Sequence, residues 1–227
     1  MEASVIIVNY NMPERTDALV SFVRSHTAQE FELVVVDNGS DLVPPSQYTT
    51  VWLPKNRDTL GGWNSGLVFS SGEAVLFLST SMQFEETDKD ILLELTGLLQ
   101  HTTVAVMPKW TGAASITHQQ KTVNPFALWN RKWLKKHMPD HRLTTGWGSD
   151  FELDYFIRQD RKRFAICDTV KVKISEGVTY EQRRGGMTID ERRKQAREQM
   201  YKVLTEKYGE DWRKVLLDGT GIEIDKL

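Results

Sequence analysis

The sequence predicts an α/β protein built on a doubly wound, mainly parallel sheet flanked by helices, with a helical extension at its C-terminus. Three observations carry that prediction. Near-continuous apolar runs recur in the first half, "SVIIVNY" from Ser4, "FELVVVD" from Phe31 and "EAVLFLS" from Glu73, as strands buried on both faces should read. Helical patterns lie between them, and strand–helix alternation implies parallel pairing. The last forty residues carry one long helical pattern, "TIDERRKQAREQMYKVLTEKYG".

In chain order, Pro13 opens a helical stretch with Leu19, Phe22 and Val23 on one face, since proline suits the first helical position. "FELVVVDNGS" is a second strand ending in turn residues, and "TVWLPKN" a third. "GGWNSGLVFSSG" predicts a short helix closed by Gly72, and "EAVLFLS" a fourth strand. In the second half "HTTVAVMPKW" gives a strand, "NPFALWNRKWLKKHM" a strand-to-helix passage and "SDFELDYFIRQDRKR" an amphipathic helix. "FAICDTVKVKI" returns to strand, and "VTYEQRRGGM" reads as a flexible loop. The final helix has a capping-box signature in Thr188 and Glu191, an apolar stripe of Ile189, Met200, Val203 and Leu204, and a stop at Gly209. The expected organisation is one domain over residues 1–180, with a nucleotide-binding half (1–108) and an acceptor half (109–180). Residues 181–227 add a flexible loop and C-terminal helices packed on it.

Bulk properties narrow the class. A chain of 227 residues with 40% hydrophobic and 26% charged residues has the composition of a soluble globular protein. The single cysteine, Cys167, excludes an internal disulfide framework and reads as a small buried apolar residue. No apolar window is long enough to span a membrane and no signal peptide is evident, so a cytoplasmic location without membrane insertion is expected. Charge is lopsided. Residues 1–108 hold 5 Lys and Arg against 14 Asp and Glu, whereas residues 109–227 hold 24 against 17. A basic second half suits an anionic partner as well as a solvated helical face.

The strand ends carry the chemistry. In open α/β sheets ligands bind beyond the carboxyl ends of the strands. "VNYN" places Asn9 and Tyr10 after the first strand, and "VVVDNGS" places Asp37 after the second. An aspartate there can accept the ring N–H of uracil, and an aromatic ring can stack on the base. The fourth strand runs out into the hydroxyls of Ser79, Thr80 and Ser81. No G-x-G-x-x-G follows the first strand, which argues against a dinucleotide enzyme.

Together these pieces resemble the inverting family 2 glycosyltransferases of the GT-A fold. The matching stretches are "SVIIVNYN", "ELVVVDNGS", "GGWNSGL" with Asn64, "GEAVLFL" and "GWGSDFELDYFIR", in the family's order across residues 4–180. The resemblance implies a nucleotide-sugar donor, commonly a UDP-sugar, with Asp37 and Tyr10 at its base, and transfer to an acceptor hydroxyl with inversion. Relatives of this kind modify saccharides, lipids, proteins and, in some phage-encoded sets, hydroxymethylated pyrimidines in DNA. A saccharide acceptor and a polyanionic one such as DNA are both compatible with the basic second half.

Two departures from the family pattern stand out. An Asp-x-Asp motif, whose last carboxylate binds Mn²⁺ or Mg²⁺, usually follows the fourth strand. Here Ser79, Thr80 and Ser81 occupy it, and neutral hydroxyls are poor ligands for a hard divalent cation. A metal-binding histidine usually follows the late strand, where "VKVKISEG" has none. A metal-independent site is therefore expected, unless other carboxylates such as Asp150 bind the ion. Ser79 and Ser81 would donate to the diphosphate, and Lys173, Arg183 and Arg184 would supply positive charge. The acidic cluster of "GWGSDFELDYFIR" offers the base: Asp150 first, Glu152 second, against the alternative of simple helix capping. Trp147, between two glycines, and Trp110 are candidate acceptor platforms. A nucleotide-sugar-binding module without catalysis is the alternative function.

Overall fold

The computed structural model describes residues 2–111, 123, 125–174, 188–220 and 222. Its centre is an eight-stranded sheet of order β3-β2-β1-β4-β7-β6-β8-β5. The first half is the parallel block: β1 (Ala3–Asn9) between β2 (Glu32–Asp37) and β4 (Ala74–Ser79), with the two-residue β3 (Val51–Trp52) at the edge beyond β2. Side chains alternate between two cores. Ile6, Val34, Val36, Val75 and Phe77 enter one, while Val5, Ile7, Val35, Leu76 and Leu78 enter the other. Burial on both faces is why these strands read as unbroken apolar runs.

Helix α1 (Pro13–Ser25) covers the second core with Leu19, Val20 and Val23. Helix α2 (Asp58–Val68) covers the first with Leu60, Trp63 and Leu67. Its Gly66 lies against β1, where an added Cβ would stand 2.3 Å from Ile6 Cγ2. The expected stop at Gly72 is incorrect. The helix ends at Val68 with Phe69 as its cap, and the Gly72 N–H instead donates to Ser4 Oγ at 2.8 Å.

The strand at the end of the sheet forces it to curl. β4 ends at Ser79 and β5 (Met82–Phe84) starts three residues later, yet β7 (Leu128–Asn130), β6 (Thr103–Trp110) and β8 (Arg163–Ile174) lie between them in the sheet. Three Cα–Cα steps reach only about 11 Å. The far edge must therefore bend back toward the end of β4. β7 runs antiparallel to both β4 and β6, β8 runs parallel to β6, and β5 pairs antiparallel with β8. Helix α3 (Ile91–Leu98), capped by Asp90, which accepts from Leu93 N at 2.8 Å, seals the second core with Ile91, Leu92 and Leu95.

The remaining helices gather on the first core. Short α4 (Arg131–Lys136) follows β7 directly, and α5 (Ser149–Gln159) precedes β8. Helix α6 (Ile189–Tyr208) has the expected capping box at Thr188 and Glu191 and ends at Gly209. Its Met200, Val203 and Leu204 are buried, as are Trp212, Leu216 and Leu217 of α7 (Trp212–Leu217). The extension thus shares the first core with α2 and α5. Fold and sheet agree with the GT-A-like expectation.

Candidate active site

The carboxyl ends of β1 and β2 meet in a dense polar cluster. Asp37 is 4% exposed. Its Oδ1 accepts from Asn9 Nδ2 at 2.9 Å and from Ser40 Oγ at 2.6 Å, and its Oδ2 accepts from Ser40 N at 3.0 Å. Asn9 is fully buried, and its Oδ1 accepts from Met12 N and Thr16 Oγ1, both at 3.1 Å. This corrects the expectation that Asn9 touches the donor, because both ends of its amide are engaged in holding Asp37 and the start of α1. Tyr10 is half-buried, with its hydroxyl donating to Asp41 Oδ1 at 3.3 Å. Asn11, in the left-handed region at φ 54°, accepts from the N–H groups of Asp41 and Leu42 at 3.0 and 3.1 Å. Two loops are thereby tied together at the mouth of the crevice.

A second group of amides lies next to α2. Buried Asn38 accepts from Arg57 N at 3.0 Å and donates to the Asp58 carbonyl at 2.9 Å, fixing the helix start to β2. Asn56 Nδ2 and Asn64 Oδ1 are buried with no hydrogen-bond partner among the described residues. A buried polar atom without a partner costs about 1–3 kcal/mol, and Thr27, Gln29, Thr49, Trp63 and Trp110 carry such atoms as well. Asn64 was expected from sequence. Asn56, just before the "GGWNSGL" stretch, accepts through Oδ1 from Asp58 N at 2.7 Å.

At the end of β4, Ser79 and Ser81 bond to each other, Oγ to Oγ at 2.8 Å, and Ser81 N donates to Ser79 Oγ at 3.2 Å. Lys173 of β8 reaches the same corner, because Met82 pairs with Ile174 and Gln83 with Lys173. The donor set at this corner, two hydroxyls already bonded to one another, does not fit a divalent cation. Among the described residues no three His, Cys, Asp or Glu side chains converge elsewhere. Arg183 and Arg184, with the expected flexible loop, lie outside the described residues.

The acidic cluster divides sharply. The segment before α5 sits on the start of α2: Leu60 N donates to the Thr144 carbonyl at 2.9 Å and Thr144 Oγ1 to Asp58 Oδ2 at 2.8 Å. This brings the first turn of α5 to the carboxyl end of the sheet. Gly148, at φ 83°, opens the helix in a backbone conformation that side-chain-bearing residues avoid. Asp150 follows in the first turn. Burial, reinforced by the charge of Asp154 and opposed by hydrogen bonds from nearby backbone N–H groups, pushes its carboxyl up to about 6.

Glu152 is different. It is fully buried, and its Oε1 accepts from Lys207 Nζ at 2.6 Å and Tyr208 Oη at 2.7 Å while Oε2 accepts from Asp140 N at 2.6 Å. Three strong bonds inside the core leave it no role as a base, and it instead fastens α6 to α5. The expectation of Trp110 as an acceptor platform is likewise corrected: it is 6% exposed and packs in the second core beside Phe126. Trp147 is 40% exposed in its turn between Gly146 and Gly148.

An open-ended α/β domain with this crevice has the GT-A-like architecture, and sequence comparison agrees. Residues 4–95, from β1 into α3, match the profile described as glycosyl transferase family 2, so the family recognised in the sequence is the family matched. Solved structures of S. aureus TarS share the fold. One covers 80% of this chain at TM-score 0.59 and 18% identity. Two structures of TarS 1–349, in complex with UDP and with UDP-GlcNAc, cover all of it at TM-scores 0.56 and 0.57 and identities of 16% and 15%. The chain spans 38% of the longer TarS chain and 77% of the shorter ones. No curated protein sequence matches significantly. No described helix is long and apolar enough to cross a membrane.

Proposed function

We propose that this chain transfers a sugar from a nucleotide-sugar, a UDP-sugar, to an acceptor hydroxyl with inversion at the anomeric carbon. The observation that carries the reading is Asp150: a carboxyl poised at about 6 in the first turn of α5, beside a crevice of family 2 character. A general base works best when its proton affinity lies near the operating pH. Above pH 6 the Asp150 carboxylate takes the acceptor's hydroxyl proton as that oxygen attacks the anomeric carbon. The bond from that carbon to the diphosphate breaks, and the departing nucleoside diphosphate keeps its electron pair.

The rest of the site supports this assignment. Asp37 and Tyr10 face the base of the donor, and Asn64 and Asn56 supply the unpartnered acceptor and donor that a ligand's polar groups complete. The hydroxyls of Ser79 and Ser81, with Lys173 nearby, take the place of a metal in stabilising the leaving diphosphate. Arg183 and Arg184 are further sources of positive charge. Trp147 stacks against the acceptor, a saccharide or a hydroxymethylated pyrimidine in DNA. S. aureus TarS has been crystallised with UDP and UDP-GlcNAc, which makes UDP-GlcNAc the first donor to try.

The test is release of UDP from UDP-GlcNAc and other UDP-sugars, measured with wild-type protein and with Asp150→Asn. Turnover that the substitution lowers by about 10²–10⁴-fold, with UDP affinity preserved, is the expected result. Tight UDP-sugar binding without turnover in any condition would replace the enzyme by a binding module.

A further inference from the structure

One face of α5 carries a chain of charges that the reaction as described does not use. Asp150, Asp154 and Arg158 follow one another at four-residue spacing, so they share a helix face. Asp154 is 4% exposed, and burial raises its carboxyl; the bonds it accepts from Arg158 Nε at 2.8 Å and from the Val123 backbone N–H, with the guanidinium charge, act the other way and favour its ionised form. The same guanidinium donates through Nη1 to the Asp218 carbonyl at 3.0 Å and through Nη2 to the Leu216 carbonyl. One arginine therefore links a buried carboxylate on α5 to the last turn of α7. Leu216, Leu217 and Trp212 are buried in the first core, and the Trp212 ring lies 6.3 Å from Phe151, so packing holds the carbonyls in place.

A buried ion pair is an inefficient way to join two helices. Well-packed apolar residues of similar volume generally serve as well or better. Its position one turn from Asp150 gives it another use. We propose that Asp154, clamped by Arg158 against the C-terminal turn, is a positioning residue that holds a negative charge one helical turn from the Asp150 carboxyl and so raises the pH at which Asp150 becomes a base.

The inference rests on Asp150 being the base. Its direction follows from charge: a neighbouring carboxylate disfavours ionisation of Asp150, adding to the larger effect of burial. Among the cations of α6, Arg192 pairs with Asp58 from α2, Arg193 with Asp190 of its own helix and Lys207 with Glu152 of α5.

The experiment follows the Asp150 carboxyl directly, by ¹³C NMR titration of aspartate-labelled protein with the resonance assigned through Asp150→Asn, and in parallel by the pH profile of UDP release. Asp154→Asn should lower the Asp150 midpoint and the acid limb of the profile together, by roughly one pH unit. Should that variant fail to fold, the paired substitution D154N/R158Q removes both charges while keeping hydrogen-bonding groups, and a smaller fall in the same direction is expected, because Asp154 is one turn from Asp150 and Arg158 two. An unchanged midpoint in either folded variant overturns the proposal. If the NMR midpoint moves but wild-type protein shows no Asp150-dependent turnover, the charge coupling stands and the proposed reaction fails.

Discussion

Lys207 of α6 donates to Glu152 of α5 at 2.6 Å inside the domain core, with Tyr208 beside it at 2.7 Å on the same oxygen. Burial and the Glu152 carboxylate drive the Tyr208 hydroxyl far above its ordinary value, so it stays a donor. Removing one partner of a buried charge pair strands the other, at a cost of about 3–5 kcal/mol. Glu152→Ala should therefore lower the melting temperature strongly. Glu152→Gln, which still accepts from Tyr208 and Lys207, should cost less and retain turnover in whatever fraction folds. Thermal melts and specific activity normalised to folded protein check this. A stable Glu152→Gln protein with turnover lost 10³-fold would reinstate Glu152 as a base.

Asp150 predicts an opposite trade. Its folded value of about 6 lies above the 3.8 of a free aspartate, so the folded state binds a proton more tightly than the unfolded one. Stability from this group is complete below pH 3.8 and is lost as pH rises toward and through 6. Two units correspond to at most about 3 kcal/mol. Asp150→Asn should accordingly raise stability at pH 7 and leave it nearly unchanged at pH 4, while lowering turnover by about 10²–10⁴-fold. Denaturant melts at both pH values check the sign. Destabilisation at pH 7 would mean the carboxylate is held, not strained.

The parallel strands were legible in the sequence because each is buried on both faces and its apolar run is local. The places of Asp37 and Asp150 in the fold were legible for a related reason: each stands at a fixed offset from a strand end or helix start. The role of Glu152 was not, since its partners lie 55 and 56 residues further on and nothing local distinguishes a buried glutamate from a helix-capping one. β5 was missed because three residues, Met82–Phe84, become a strand only when β8 is alongside. α3 does carry a local signal, a capping aspartate, Asp90, ahead of Ile91, Leu92 and Leu95. Trp147 stands between two glycines, whereas Trp110 ends β6 and is buried by packing in the second core beside Phe126.

These two tryptophans make a paired prediction. Trp110→Ala opens a cavity in the second core and should cost about 3–5 kcal/mol, with activity loss following loss of folded protein. Trp147→Ala removes an exposed ring and should leave the melting temperature nearly unchanged while raising the KM for the acceptor. Kinetics at fixed UDP-sugar and varied acceptor separate the outcomes. An unchanged acceptor KM for Trp147→Ala would remove it from the site.

A third contact tests whether the extension is built into the site. Arg192, near the start of α6, pairs with Asp58 at the start of α2, and Asp58 also accepts from Thr144 at 2.8 Å. Gln199 joins the same group by donating to Thr144 Oγ1 at 2.9 Å. Asp58→Ala should loosen α6 from α2 and displace the segment that leads into Asp150. Both lower stability and a reduced kcat with UDP affinity retained are expected, read by thermal melts and by UDP calorimetry. Full activity in the folded variant would show that α5 is placed without this tie.

The serine corner decides the metal question by substitution. Ser79 and Ser81 offer two neutral oxygens bonded to each other, whereas a divalent cation gripping a diphosphate wants anionic oxygen. UDP affinity and turnover should be the same in EDTA as in Mn²⁺. Installing carboxylates with S79D/S81D should reverse this behaviour. Two new negative charges close to the diphosphate repel it in EDTA, weakening UDP binding at least tenfold, and Mn²⁺ should restore it by neutralising them. Calorimetry of UDP with both proteins, each with and without Mn²⁺, gives four affinities. Equal affinities for the wild type with a strong Mn²⁺ dependence for the variant is the expected pattern. A wild type that binds UDP only with Mn²⁺ would mean that carboxylates elsewhere in the chain assemble around the donor to hold the ion.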